Sequence, residues 1–368
     1  MAEATRDQVM AALGRVTDPA TGKSVAAAGM IEGLVIKGGH VGFSIQVAPE
    51  RGAQSEPLRK ACEAAVSALS GVLSVTAVLT AHREAPAPAA QPRAPHGHHG
   101  APAKQGIAGV AAVIAVASGK GGVGKSTVAA NLALALSRLG LKTGLMDADI
   151  YGPSVPRLFG IREKPGTEKN KLLPIEKFGI KTMSIGFLVD EDSPVIWRGP
   201  MVQSALMQLM NDVVWAPLDV LVVDMPPGTG DAQLAMAQQV PLKGAVIVST
   251  PQDIALIDAR KGIAMFEKTQ VPVLGIVENM SVFVCPNCGH ETHIFGHGGA
   301  RATAERQSIP FLGEIPLVPL IRETSDAGTP VVWLEPEGRE AQAFLAVAEK
   351  VAEKIAAPAR SAPRIVME

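Results

Sequence analysis

One stretch, Val113-Ile-Ala-Val-Ala-Ser-Gly-Lys-Gly-Gly-Val-Gly-Lys-Ser-Thr127, limits what this chain can fold into. An apolar run ends in a glycine-rich turn, and an alanine- and leucine-rich segment follows. That order predicts strand, loop and helix. The turn fits G-x-x-x-x-G-K-[ST], with Gly119 and Gly124 as its glycines, then Lys125 and Ser126. Glycines let a backbone wrap a phosphate group so that several N–H groups point inward. A helix starting near Ser126 presents its positive end to the same anion. In such a loop Lys125 reaches the β- and γ-phosphates, and the Ser126 hydroxyl binds Mg²⁺.

Downstream of the loop, apolar runs recur: Thr143–Met146, Thr182–Ile185, Val220–Val223, Ala245–Val248 and Val273–Val277. They are continuously apolar rather than alternating, which suits a parallel sheet covered on both faces. Helical stretches fall between them: Ser126–Leu139, Met201–Asn211, Asp231–Gln239 and Ile254–Lys268. The expected fold is α/β, a doubly wound and mainly parallel sheet. In the tail, Phe344, Leu345, Val347, Val351 and Ile355 fall on one helical face and are expected to pack on this core.

A chain of 368 residues is long enough for two domains. Residues 1–82 read as a small α+β unit in the order α-β-β-α-β: a helix over Arg6–Val16, strands over Met30–Ile36 and Val41–Val47 joined by a hairpin at Lys37-Gly-Gly39, a helix over Glu56–Leu69 and a strand over Val72–Leu79. Residues 83–108 are rich in Pro, Ala and His and read as an extended tether; His96, His98 and His99 there have no shell to orient them on a metal. Residues 109–357 form the expected phosphate-loop domain, and 358–368 a frayed tail.

The formal net charge is −1, so no global field draws the chain to nucleic acid. Aromatic residues make up 4%, too few for base-stacking platforms. The first residues have no apolar signal core, and the longest apolar run, around Ile107–Ala117, is too short to cross a bilayer. The expectation is a cytoplasmic protein with no membrane and no nucleic-acid partner. Three cysteines cannot close a disulfide framework, which fits a reducing compartment.

Further motifs surround the loop. Leu145-Met-Asp-Ala-Asp149 ends a strand with two carboxylates, Asp147 and Asp149, at the edge where open α/β sheets bind ligands. Leu221-Val-Val-Asp224 is an apolar strand ending in aspartate, the Walker B arrangement, so Asp224 is expected to hold Mg²⁺. Pro226, Pro227, Gly228 and Gly230 follow it in a loop suited to a switch that senses the γ-phosphate. Cys285-Pro-Asn-Cys288 offers two thiolates at metal-ligand spacing, whereas a closed zinc site or an iron–sulfur cluster takes four ligands. Spacing alone leaves open a zinc knuckle completed by His290, His293 or His297, and an iron–sulfur cluster. Cys62 lies in a helix among apolar neighbours and reads as core.

The loop's additional lysine, Lys120, directly after Gly119, resembles the deviant Walker A proteins, which include the MinD and ParA positioning ATPases and the nitrogenase iron protein. The resemblance implies that Lys120 crosses a homodimer interface to the partner's nucleotide. It also implies that Asp149 activates the attacking water, that Asp147 supports Mg²⁺ and the loop, and that Asn279 contacts the base. The implied catalytic set is Lys120, Lys125 and Asp149. The implied nucleotide set is Gly119, Lys120, Gly121, Gly122, Val123, Gly124, Lys125, Ser126 and Thr127, with Asp147, Asp224 and Asn279. Residues 1–82 resemble the MIP18-like domain, although its loop cysteine is absent here. The words Asp147-Ala-Asp-Ile-Tyr-Gly-Pro-Ser-Val-Pro156, Ile196-Trp-Arg-Gly-Pro-Met201, Asp224-Met-Pro-Pro-Gly-Thr-Gly-Asp231 and Glu278-Asn-Met-Ser281 followed by Cys285-Pro-Asn-Cys288 are similar to the Mrp/ApbC iron–sulfur cluster carriers, relatives of eukaryotic Nbp35. That similarity implies an ATPase that binds ATP with Mg²⁺, carries a [4Fe–4S] cluster bridging a homodimer on Cys285 and Cys288, takes it from assembly scaffolds and delivers it to apo-proteins. The alternative is a MinD/ParA-like positioning ATPase with a structural zinc knuckle.

Overall fold

A computed structural model describes residues 4–19, 21–37, 40–47, 55–72, 74–81, 106–169, 171–189 and 199–357. Most of the expected tether, with its three histidines, lies outside these residues. So do the tail 358–368 and residues 196–198 of the Ile196-Trp-Arg motif. The chain divides into two compact units, 1–98 and 99–368.

The first unit contains α1 (Arg6–Leu13), β1 (Ile31–Lys37), β2 (His40–Val47), α2 (Glu56–Ser67) and β3 (Ser74–Ala81). Thr5 and Gln8 form a reciprocal capping box that starts α1. The helix ends earlier than its apolar spacing suggests, because Gly14 caps it by donating to Met10. β1 and β2 pair antiparallel from Lys37↔His40, as a hairpin requires, and β2 pairs parallel with β3. Alternate residues Val41, Phe43, Ile45 and Val47 point into one core with Val9, Leu13, Leu58 and Val66. Cys62 is fully buried in that core, and burial pushes its thiol up to about 11. It is therefore a packing residue, as its apolar neighbours suggest.

The second unit is built on a sheet of nine strands among the described residues. In chain order it contains β4 (Val110–Ala117), α3 (Lys125–Arg138), β5 (Thr143–Asp147), α4 (Val155–Leu158), a separate pair β6 (Thr167–Glu168) and β7 (Lys171–Leu172), β8 (Ile175–Lys177), β9 (Ile180–Ser184) and α5 (Gly199–Asn211). Then come β10 (Leu218–Asp224), α6 (Asp231–Gln239), β11 (Gly244–Ser249), α7 (Asp253–Lys268), β12 (Val273–Val284), β13 (Glu291–Thr292), α8 (Gly299–Arg306), β14 (Phe311–Leu317), α9 (Pro319–Asp326), α10 (Val331–Leu334) and α11 (Arg339–Ala356). The order is β13-β12-β11-β4-β10-β5-β9-β8, with β14 also on β12. Pairings are parallel except β8 with β9 and β12 with β13.

This order explains where the site falls. From β4 the chain crosses to β5, two places away on one side, and later places β11 on the other side of β4. The crevice at that reversal, beyond the carboxyl end of β4, is where such sheets take ligands. The central strands are buried on both faces, which is why their sequences run apolar without alternation. Helix α3 is buried on nearly every side, from Val128 through Leu136. Its alanines allow that close approach. In α11, Phe344, Val347 and Val351 are buried, with Leu345 and Ile355 packed at the margin, as the periodicity predicts. The methionines of α5 are divided: Met210 is buried, Met207 is half-buried, and Met201 is exposed.

Candidate nucleotide site and cysteine hairpin

The turn after β4 is held from three directions. A side chain on Gly119 would run into the α7 backbone at Asp258 and Ala259. Gly124 has φ +80° and ends the turn as the N-cap of α3. A side chain there would meet the Asn279 amide, which donates to the Val123 carbonyl at 2.8 Å. Only glycine satisfies both the backbone angle and the space. From the opposite side, Gly228 N–H donates to the Ser118 carbonyl at 3.0 Å.

These constraints leave a cleft of about 290 Å³ at the start of α3. Lys120, Gly121, Gly122, Gly124, Lys125, Ser126 and Thr127 line it, with Asp149 and Pro227 opposite. Gly119, Val123, Asp147, Asp224 and Asn279 are not in this lining; Gly119 is half-buried and the other four are buried.

Lys125 and Asp224 are buried and ion-paired through Nζ and Oδ1, and Lys125 Nζ also reaches Ser126 Oγ at 3.2 Å. Burial raises the Asp224 carboxyl above the ordinary range, and the Lys125 ammonium opposes that rise. The other oxygen, Asp224 Oδ2, is buried without a hydrogen-bond partner. An orphaned carboxylate oxygen near a hydroxyl is chemistry suited to a hard divalent cation, so these residues fit Mg²⁺.

Asp147 is wholly buried and turned inward. Its Oδ2 accepts from Ser154 N (2.9 Å), Val155 N (3.1 Å) and Ser184 Oγ (3.0 Å), and its Oδ1 from Asp149 N (3.1 Å). Those bonds fix the loop carrying Asp149 and the start of α4. Burial, with the Asp224 charge second, pushes the Asp147 carboxyl up to about 7. Asp149 faces the cleft, where burial raises its carboxyl while Lys125 lowers it.

The cysteines lie at the far end of β12. Phe283 and Val284 pair with Thr292 and Glu291, so the segment between forms a hairpin. Cys285 N–H donates to the His290 carbonyl at 3.0 Å, and Gly289 N–H to the Cys285 carbonyl at 2.9 Å. Cys285 is half-buried and Cys288 exposed, both free thiols. Backbone N–H groups of Asn287 and Cys288 hold the Cys285 thiol below its ordinary range. Such a thiol is readied for metal or for alkylation. Of the two alternatives that spacing leaves open, the histidine-completed knuckle has no three-ligand group with the cysteines among the described residues. Among the described residues, the metal-ligating side chains gathered in a group of three are Glu278, His297 and Glu314, without either cysteine. His293 stacks on His297, which in turn meets Glu314 at 3.2 Å.

Two further residues anchor these elements in roles that the sequence did not assign. Ser184 closes the shell around Asp147, and Glu278 accepts from Gly298 N (3.0 Å) and Ala300 N (2.7 Å) at the start of α8. Glu278 opens the word Glu278-Asn-Met-Ser281, but only the fold shows what its carboxylate holds.

A parallel sheet with a phosphate loop at its switch point, a lysine on Asp224 and a second loop lysine defines a P-loop NTPase of the MinD/ParA type. More narrowly, the chain belongs to the NUBPL iron-transfer P-loop NTPase family, which matches residues 109–352; residues 6–78 match the iron–sulfur cluster assembly protein family. The iron–sulfur cluster carrier protein of Haemophilus influenzae is 55% identical over 241 residues, 65% of this chain and 65% of its own length. The iron–sulfur cluster transfer protein NUBPL of Mus musculus is 55% identical over 242 residues, 65% of this chain and 76% of its own. Among solved structures, a nucleotide-binding protein from Archaeoglobus fulgidus in complex with ADP is 41% identical, with TM-score 0.56 over 65% of this chain and 93% of that one. The cell division ATPase MinD of Pyrococcus furiosus is 25% identical, with TM-score 0.51 over 66% and 99%. No helix among the described residues is long and apolar enough to cross a membrane.

Proposed function

We propose that the chain is a homodimeric ATPase that binds a [4Fe–4S] cluster as cargo and transfers it to apo-proteins. One juxtaposition carries this reading: a phosphate cleft shares a chain with a thiol pair that has only half the ligands a cluster needs. A two-fold axis supplies the other half, because it brings a second Cys285 and Cys288 to the same place.

In this reading Lys125 leaves Asp224 for the incoming phosphates. Asp224 and Ser126 would hold Mg²⁺, whose chemistry there would be to offset negative charge on the phosphates. Asp149 orients the attacking water in line with the γ-phosphate, with Asp147 fixing its loop. Lys120 reaches across to the partner's nucleotide, and Asn279 trades its bond to the loop for one to the base. The carrier works in the cytoplasm and draws its cluster from assembly scaffolds.

The test is anaerobic reconstitution of the full chain with iron and sulfide. The expected stoichiometry is one cluster per dimer. Retention of the cluster by the Cys285→Ala and Cys288→Ala variants, or zinc in place of iron in anaerobically purified protein, overturns the assignment.

A further inference from the structure

Strand β12 touches both sites. Near its middle, Asn279 donates to the phosphate loop at Val123, and six residues later the chain reaches Cys285. Between them stands Met280 at φ +58°, left-handed backbone in a residue that is not glycine. That conformation costs about 1–2 kcal/mol and persists only where neighbours enforce it.

Several observations mark this point as a joint. Just before it, Glu278 is pinned by two backbone N–H groups of the α8 start. Pairing of β12 with β14 steps from Asn279↔Ile315 to Phe283↔Leu317, so β12 uses two more residues than its neighbour here. Ser281 re-anchors beyond the bend, its Oγ donating to the Ile315 carbonyl at 3.2 Å. The Met280 side chain itself lies against the loop, with Cε 3.5 Å from where a Gly124 Cβ would stand. One end of the segment is therefore held by the loop that a phosphate would occupy. The other end is a half-exposed hairpin held by local bonds.

We propose that Met280 is a positioning residue for the thiol pair: its left-handed backbone is the joint through which the state of the phosphate loop sets the posture of the Cys285–Cys288 hairpin. This rests on the reading of the loop as a nucleotide site; it does not require that the thiols hold a cluster. A ligand at Val123–Gly124 changes the load on the Asn279 amide and the Met280 side chain. The bend between anchored Glu278 and the locally held hairpin converts that change into a tilt of the hairpin.

Thiol kinetics in the metal-free full chain test this. Iodoacetamide alkylation of Cys285 and Cys288 is followed by peptide mass spectrometry, with and without ADP and Mg²⁺, using buried Cys62 as internal standard. In the wild type the rates at the pair change by at least about fivefold when nucleotide binds. In Met280→Gly, where the left-handed angle carries no strain and the side chain no longer touches the loop, nucleotide affinity stays within about threefold while the thiol response falls below about twofold. A variant that responds like the wild type overturns the proposal, and would mean that dimerisation alone shields the thiols. A wild type that binds nucleotide with unchanged thiol rates also overturns it. Amide hydrogen exchange on the wild type supplies an arm that no folding defect can spoil: nucleotide must change protection at Ser281–Val284, and unchanged exchange there sinks the joint. Failure of cluster binding in the reconstitution above leaves these outcomes intact, so the two readings fall separately.

Discussion

The phosphate loop and the cysteine hairpin are both glycine-punctuated turns at strand ends, yet they are built oppositely. The loop is enclosed: α7 stands behind Gly119, Asn279 sits under Gly124, and Lys125 is buried on Asp224. The hairpin is open. A side chain on Gly289, at φ +70°, would meet nothing, and Cys288 is exposed. The backbone of the loop is shaped by packing within the chain before any ligand arrives. In the proposed reading, the open thiol pair leaves room for ligands from a second copy and for release of the cargo.

The sharpest way to break this comparison is to disable each region and measure both activities. Cys285→Ala with Cys288→Ala is expected to abolish cluster loading while ATP turnover stays within about twofold. Asp149→Ala is expected to lower turnover by about 10²–10³-fold while the cluster still loads. Loss of both activities in either variant would merge the two regions into one.

Stability gives the next contrast. Lys125→Ala leaves the Asp224 charge buried without its partner and is expected to cost about 3–5 kcal/mol in chemical denaturation. The same truncation at exposed Cys288 is expected to cost under about 0.5 kcal/mol.

The pH dependence of the enclosed region follows from Asp147. Its carboxyl is raised from 3.8 to about 7, so the folded state holds that proton more tightly than the unfolded chain. Its contribution is fully present below about pH 4 and is lost as pH rises to about 7, to a limit of roughly 4 kcal/mol. Asp147→Asn keeps an acceptor for Ser154 and Val155 and removes the titration. The stability difference between wild type and variant should therefore shift against the wild type across that window. A difference independent of pH would show that the loop's bonds keep Asp147 ionised.

The smallest contrast is between glycines. Gly119→Ala drives a methyl into the α7 backbone and is expected to cost about 1–3 kcal/mol or more. Gly289→Ala meets open space and carries only the left-handed penalty, about 1–2 kcal/mol. Nucleotide affinity should fall in the first variant and hold in the second.

Much of the enclosed region was legible because its parts are local in sequence. Gly119 to Ser126 is one word, and the apolar run into Asp224 is another. Periodicity also found α11 and identified Cys62 as core. What escaped was pairing that skips along the chain. The addition of β14 to β12 depends on a neighbour about 35 residues away in the chain, whereas antiparallel β8 is a short local hairpin with β9 whose few residues carry no clear strand pattern. Asp147 was expected to support Mg²⁺ and the loop; three of its four hydrogen-bond donors lie within the word Asp147–Pro156, and the fourth, Ser184, comes from a strand that word does not contain.

By itself the sequence determined the chemistry available: a turn only glycines can make, a lysine and hydroxyl placed for phosphate, and two thiols at metal-ligand spacing. These follow from local sterics and from the reach of adjacent side chains. Tertiary structure alone decided how those pieces relate. The sheet order put Asp224 on Lys125 from 99 residues away and Asn279 on Val123 from 156. It also kept the histidines out of the group a knuckle would need. Such contacts arise because strands pair by register and burial across the whole domain, and no local spacing encodes which distant strand becomes the neighbour.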